Sequence, residues 1–216
     1  MKILVIDVGG SHVKVRATGR KLPQKIPSGQ AMTPRAMVRL VLDAVAEWQY
    51  DAVSIGYPGA VRRGKPISDP PNLGGGWVGF NFSQAFGKPV RLINDAAMQA
   101  LGSYRGGRML FLGLGTGLGS ALIIDGVVEA MELAHLPYKK GRTYEDYVGK
   151  RGLRRAGKKK WRRHVKDVIE RLQAALGAED VVIGGGNAKL LRKLPDGVRL
   201  GDNANAFRGG QLLWKK

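Results

Sequence analysis

The sequence predicts an α/β protein made of two related halves, and three observations carry that expectation. First, β-type apolar runs alternate with stretches of helical periodicity. Second, two of those runs double back through a glycine turn, at Gly9-Gly10-Ser11 and at Gly115-Thr116-Gly117. Third, the run Val90-Arg91-Leu92-Ile93 ends at Asn94-Asp95, where an Ala-rich, helix-forming segment begins at once. In open α/β sheets ligands gather at strand carboxyl ends, beside the N-terminus of the next helix. Asp95 is therefore a candidate for chemistry, although taken alone the stretch favours a plain helix cap, a common role for Asn and Asp.

Composition narrows the class. The chain has 216 residues, enough for one domain or two small ones, and 44% hydrophobic content argues against disorder. The absence of cysteine excludes a disulfide framework, thiolate catalysis and cysteine zinc sites. The opening run Ile3-Leu4-Val5-Ile6-Asp7 is too short and too soon charged for a signal peptide or a membrane span, so an unexported, cytoplasmic protein without membrane association is expected. The formal net charge of +19 attracts polyanions. It is concentrated: residues 139 to 166 hold thirteen Lys or Arg against Glu145 and Asp146, a net of +11. A solvated face explains such a run as readily as an anion site.

In order, Lys2 to Val8 reads as a buried strand, followed by a glycine turn and a returning strand through Val13 and Val15. In D-V-G-G-S-H-V-K, Gly9 and Gly10 let backbone N–H groups approach a phosphate. Ser11 can donate a hydroxyl, Lys14 adds charge, and Asp7 can hold a metal-bound water. A simple turn is the alternative. Thr33-Pro34 starts a helix whose apolar face is Met37, Leu40, Val41, Ala44, Val45 and Trp48. Ala52 to Tyr57 is a further strand. The Pro- and Gly-rich loop from Arg62 to Gly79 is long enough to be functional; its Asn72 can bond a sugar hydroxyl, and Trp77 is either core or a stacking surface.

Met109 to Leu114 leads into the second glycine turn, and Ala121 to Ile124 returns from it. Glu132 and His135, three apart, can share a helical face and bind hydroxyls or a metal. An apolar stripe from Trp161 to Leu176, ended by Gly177, makes a helix, with the lysines at its start and in the loop before it. Val181-Val182-Ile183 runs into Gly184-Gly185-Gly186-Asn187, a turn suited to a nucleotide, with a helix expected from Ala188 to Leu194. Gly201 to Phe207 precedes a short C-terminal helix.

These motifs in this order resemble the ROK group of sugar kinases, within the hexokinase/actin-like superfamily, and most closely bacterial polyphosphate glucokinases. D-V-G-G-S-H-V-K resembles the first phosphate motif, P-N-L-G-G-G-W the sugar loop, I-N-D-A-A the catalytic stretch and L-G-L-G-T-G-L-G-S the second phosphate motif. E-L-A-H-L-P-Y-K-K-G-R-T-Y-E-D-Y resembles the sugar-binding turn and V-I-G-G-G-N the nucleotide-side motif. The resemblance implies two ribonuclease H-like domains of actin/hexokinase type around a central cleft, over residues 1–107 and 108–216, with the C-terminal helix free to return to the first. It implies Asp95 as general base for the sugar 6-hydroxyl, with Asn72, Asn94, Glu132, His135 and Glu145 on the other hydroxyls. Asp7, Gly9, Gly10, Ser11, Lys14, Gly115, Thr116, Gly117, Gly185, Gly186 and Asn187 would handle phosphate or nucleotide, with Mg²⁺ held through water at Asp7. The wider family carries a cysteine-rich zinc site after the sugar-turn histidine, which this chain lacks, and the usual glycine before that histidine is Ala134.

The expected function is transfer of phosphate to the 6-hydroxyl of glucose, with mannose a further candidate acceptor, from inorganic polyphosphate and/or ATP. A homodimer is expected from the resemblance alone. Lys139, Lys140, Arg142, Lys158, Lys159 and Lys160 are read as a polyphosphate track. The competing class is a non-catalytic sugar-sensing or nucleic-acid-binding regulator. Repressors of the wider family carry an N-terminal helix-turn-helix, whereas this sequence opens on the first kinase-type strand, so nucleic acid is not an expected partner.

Overall fold

The computed structural model describes residues 1–202 and 204–215. The chain forms two compact units, Met1–Met98 joined by the segment from Ala206 onward, and Gln99–Asn205.

The first unit contains β1 (Ile3–Val8), β2 (His12–Ala17), β3 (Gln24–Pro27), α1 (Pro34–Ala44) and β4 (Ala52–Tyr57). The short hairpin β5 (Val61–Arg62) and β6 (Lys65–Pro66), α2 (Phe82–Phe86), β7 (Val90–Asn94) and the first turn of α3 (Asp95–Ser103) follow. Its five-stranded sheet runs β3-β2-β1-β4-β7. β1 is antiparallel to β2 and parallel to β4, and β4 is parallel to β7. Every residue of β1 and β4 is buried, as befits central strands covered on both faces. Leu4, Ile6 and Val8 pack with Met37 and Val41 of α1, while Ile3 and Val5 pack with Met98 of α3 and Phe207. Thr33 caps α1 by accepting from the Ala36 N–H at 3.2 Å.

The C-terminal helix, Asn205–Leu212, sits against β1 so closely that a side chain at Gly210 would collide with Val5. The buried Ser54 hydroxyl donates to the Gly210 carbonyl at 2.6 Å and accepts from Trp214 Nε1 at 2.8 Å. Asn203, in the stretch expected to precede this helix, lies outside the described residues.

The second unit contains β8 (Arg108–Leu114), β9 (Leu118–Ile124), β10 (Val127–Met131), a 3-10 turn at Leu133–His135, and the hairpin β11 (Pro137–Lys139) and β12 (Arg142–Thr143). α4 (Tyr144–Val148), α5 (Lys150–Leu176), β13 (Asp180–Gly184), a 3-10 turn at Ala188–Leu190 and β14 (Val198–Leu200) complete it. Its sheet runs β10-β9-β8-β13-β14, the same pattern of a three-strand meander followed by two parallel strands. Trp161, Val165, Val168, Ile169 and Leu172 of α5 pack on Leu110, Leu112, Val181 and Ile183.

Four expectations are revised or resolved. The basic segment before Trp161 is helical from Lys150, not a loop, and the helix is broken at Gly157 (φ 69°, ψ 162°), so Lys158–Lys160 open its second part. Glu132 and His135 do share one helical face, 3.6 Å apart, but on a single 3-10 turn, because the chain enters β11 directly after Leu136. No α-helix spans 188–194: the 3-10 turn stops at Leu190, whose carbonyl accepts instead from Arg162 Nε at 2.6 Å. Trp77 is fully buried beside Tyr57, ring centroids 5.5 Å apart, so it is core and not a stacking surface.

Candidate active site

In the first unit three parallel strands end together. The register pairs Asp7 with Gly56 and Tyr57 with Asn94, so Gly9, Pro58 and Asp95 follow at the carboxyl ends of β1, β4 and β7. Asn94 performs the cap: its Oδ1 accepts from the Ala97 N–H at 3.1 Å, while its Nδ2 donates to the Gly59 carbonyl at 3.1 Å. Asp95 is half-buried in the first turn of α3, with Oδ1 accepting from the Ala96 N–H at 2.7 Å. Gly56 supplies the room this needs, since a Cβ there would lie 3.5 Å from the Asp95 Cα and collide with the Met98 methyl.

The first glycine turn is built for space, not for unusual dihedrals. Neither Gly9 nor Gly10 has positive φ, but a Cβ on Gly9 would lie 2.9 Å from the His12 carbonyl oxygen. A Cβ on Gly10 would lie 3.2 Å from that of Asn72, which brings the predicted sugar loop onto the predicted phosphate turn. The turn closes through Gly9 N–H to the His12 carbonyl at 3.1 Å, and the Ser28 hydroxyl holds the Gly9 carbonyl at 2.5 Å. Asp7 and Lys14 face each other across β1 and β2, Nζ to Oδ2 3.4 Å. Burial raises the Asp7 carboxyl above the usual carboxylate range, and the Lys14 ammonium opposes that rise.

Asp69 went unnoticed in the sequence, yet it shapes the Asn72 loop. Its carboxylate accepts from the Gly76 and Trp77 N–H groups at 3.1 and 2.8 Å, and these bonds hold it below the usual carboxylate range. Trp77 Nε1 closes the loop onto the Gly74 carbonyl at 2.6 Å. The available signal was an Asp inside a Pro/Gly-rich turn, where such side chains capture nearby backbone N–H groups.

In the second unit the glycine turn at 115–117 is held from two sides. Asn187 donates Nδ2 to the Gly115 carbonyl at 3.1 Å and its N–H to Leu114 at 3.0 Å. Gly185 (φ 83°) rests on the Leu114 backbone, where any side chain would be both strained and obstructed. Opposite, the Glu145 carboxylate accepts from the Leu118 N–H at 3.3 Å and fills the space left by Gly117, while Lys150 N–H donates to the Thr116 carbonyl at 3.0 Å. Glu145 is thus placed on the second glycine turn, with Arg151 3.8 Å away. Glu132 and His135 are exposed neighbours, 3.6 Å apart, with Ala134 buried between them.

Lys139 is engaged by Asp167 at 3.3 Å, whereas Lys140, Lys158, Lys159 and Lys160 have no ion-pair or hydrogen-bond partner among the described residues. Among those residues no group of three or more His, Asp or Glu could hold a metal. Asp7 beside a phosphate-type turn suits a magnesium ion carried mainly by donor phosphates and water, which requires only one or two protein carboxylates. No helix among the described residues is long and apolar enough to cross a membrane.

The ROK family model matches residues 3–130, which include both glycine turns and Asp95. The chain belongs to the ROK family. It is 27% identical over 211 residues to the polyphosphate glucokinase of Mycobacterium tuberculosis H37Rv, covering 84% of this chain and 76% of that one. The polyphosphate glucokinase of Mycobacterium leprae is 25% identical over 211 residues; the match covers 84% of this chain and 62% of the relative, less than two thirds of its length. The fold is that of the inorganic polyphosphate/ATP-glucomannokinase of Arthrobacter sp. strain KM, with TM-score 0.84, 23% identity, and 98% of this chain and 97% of that one covered. Both sheets here are mixed, one in each of the two units, consistent with a two-domain, actin-like fold.

Proposed function

We propose that this ROK protein is a sugar kinase that phosphorylates the 6-hydroxyl of glucose, and of mannose as a second acceptor, from inorganic polyphosphate or ATP. The observation that carries the reading is that Asp95 and the Gly9-Gly10 turn follow the carboxyl ends of β7 and β1, parallel strands with β4 between them, in a family whose named relatives here are polyphosphate glucokinases. Asp95 takes the proton of the attacking hydroxyl as the new O–P bond forms and the bond to the donor's leaving phosphate breaks. Asn72 orients the sugar beside the first turn, and Glu132 and His135 offer an acceptor and a donor to further hydroxyls. The Gly9-Gly10-Ser11 and Gly115-Thr116-Gly117 backbones and Lys14 receive phosphate, with Gly185, Gly186 and Asn187 on the nucleotide side. Magnesium, bound near Asp7 through water, would neutralise phosphate charge.

Asn94 contributes by fixing the α3 start and the Gly59 loop, since both ends of its amide are already bonded. Glu145 likewise acts through the second turn, to which one of its oxygens is bonded. Polyphosphate as donor is supported by the run Lys158–Lys160 beyond the Gly157 break, together with Lys140 and Arg142. Lys139 contributes less, being paired with Asp167.

The test is glucose-6-phosphate formation with Mg²⁺ and either polyphosphate or ATP, in the wild type and Asp95→Asn. Turnover abolished by the substitution supports the assignment. Turnover retained at the wild-type rate would refute Asp95 as base, and no turnover with either donor would refute the kinase reading.

A further inference from the structure

Away from both glycine turns, the second unit carries a pocket of 230 Å³ between α5 and the segment that follows the 188–190 turn. Its floor is apolar: Val165 and Ile169 from α5, and Leu191, Leu194 and Pro195 from the facing segment. Its rim is cationic throughout, with Arg162, Arg163 and Lys166 on one side and Arg192 and Lys193 on the other, and no acidic residue lines it.

Two rim cations are already committed. Arg162 donates to the Leu190 carbonyl, which fixes the separation of the two walls, and Lys166 pairs with Glu170 at 2.5 Å. Arg163, Arg192 and Lys193 have no ion pair or hydrogen bond among the described residues. The pocket exists because the helical turn stops at Leu190 and residues 191–195 form no regular element; Leu191 and Leu194 are half-buried against α5, while Arg192 and Lys193 are exposed at the rim.

We propose that this pocket binds a small amphipathic anion, with an aromatic or short aliphatic body on the Val165-Ile169-Leu191 floor and a phosphate or carboxylate held by Arg163, Arg192 and Lys193. Charge complementarity selects an anion, and the apolar floor selects against a bare inorganic one, because polyphosphate or free phosphate would leave those side chains uncovered. Guanidinium groups suit the head, since they bind planar or tetrahedral oxyanions through two parallel N–H donors. The site is separate from the proposed donor path: neither the glycine turns nor Lys158–Lys160 line it.

The experiment titrates the whole protein with 1-naphthyl phosphate, following naphthyl fluorescence, against two controls: inorganic phosphate, and the neutral 1-naphthylmethanol. Tighter binding of the naphthyl phosphate than of either half, by tenfold or more, is expected. The exposed double variant Arg192→Glu/Lys193→Glu should lose that affinity at least tenfold while keeping the wild-type melting temperature. Saturating glucose and polyphosphate should leave it unchanged. Equal binding of inorganic phosphate, equal binding of the neutral naphthalene, an unaffected double variant, or displacement by polyphosphate would each overturn the proposal.

Discussion

The two glycine turns sit on sheets of identical strand order, yet they are wired differently. The first carries its own charges, Asp7 and Lys14 facing each other directly behind Gly9, and it is closed by light contacts to His12 and Ser28. Behind the second, the facing strand residues Leu112 and Ser120 are uncharged, and its nearest charged pair, Glu145 with Arg151, comes from a later segment; its backbone is held by Asn187 and Gly185 on one side and by Glu145 and Lys150 on the other. A duplicated scaffold therefore does not duplicate chemistry. In the proposed kinase, the first unit holds the groups that handle charge and protons, and the second holds its phosphate turn rigid through neighbours that arrive later in the chain.

The largest expected effect breaks that asymmetry at its chemical end. Asp95→Asn should reduce kcat about 10²- to 10⁴-fold with little change in the sugar KM, measured by steady-state glucose-6-phosphate formation. An equal loss from Glu145→Gln would show that the second unit contributes chemistry as well as support.

Next, one added methyl group should act differently in the two turns. Gly185→Ala combines positive φ with obstruction by Leu114 and should cost about 1–3 kcal/mol, read as a lowered melting temperature. Gly10→Ala lacks the strained dihedral and meets only Asn72. It should leave the melting temperature within a degree or two, about what a surface-like change produces, and raise KM for sugar or donor.

Smaller still are two pH effects of opposite sign. Asp7 is raised by burial, so its contribution to stability is present below the ordinary carboxylate value of 3.8 and falls as pH rises through its higher folded value. Asp7→Asn should remove that loss and protect β1 at neutral pH, followed by hydrogen exchange. Asp167 is lowered, chiefly by the Tyr138 hydroxyl at 2.6 Å and then by Arg171 and Lys139. Its contribution is full above 3.8 and is lost as pH falls through its lower folded value. Asp167→Asn should loosen the β11–β12 hairpin at neutral pH and remove its sensitivity to acid.

Finally, replacing Lys158, Lys159 and Lys160 with Gln should flatten the salt dependence of the polyphosphate KM and spare that for glucose. An unchanged salt dependence would reduce the basic helix to a solvated face.

Much of this was legible along the chain. Strands β1, β4, β8 and β13 announce themselves as apolar runs, α1 by its apolar spacing and Thr33-Pro34 start, and the glycine turns by residues that make room for backbone. These are local properties, since period, capping and turn chemistry act over a few residues. The edge strands β3, β10 and β14 were not legible, because half-exposed strands such as Val127–Met131 carry little apolar signal and form only when a neighbour offers its backbone. The expected helix over 188–194 failed for a related reason: Arg162, far away in sequence, takes the Leu190 carbonyl.

For the candidate site, residue types and spacing made Asp95, Gly9-Gly10 and Gly115-Thr116-Gly117 candidates, and the family resemblance supplied the roles expected of them. Which member of Asn94-Asp95 caps the helix, that Glu145 lies on the second turn, and that Asp69 shapes the Asn72 loop were decided only in three dimensions. Each depends on which backbone N–H or carbonyl lies within about 3 Å of a side chain, and packing of distant segments sets that distance.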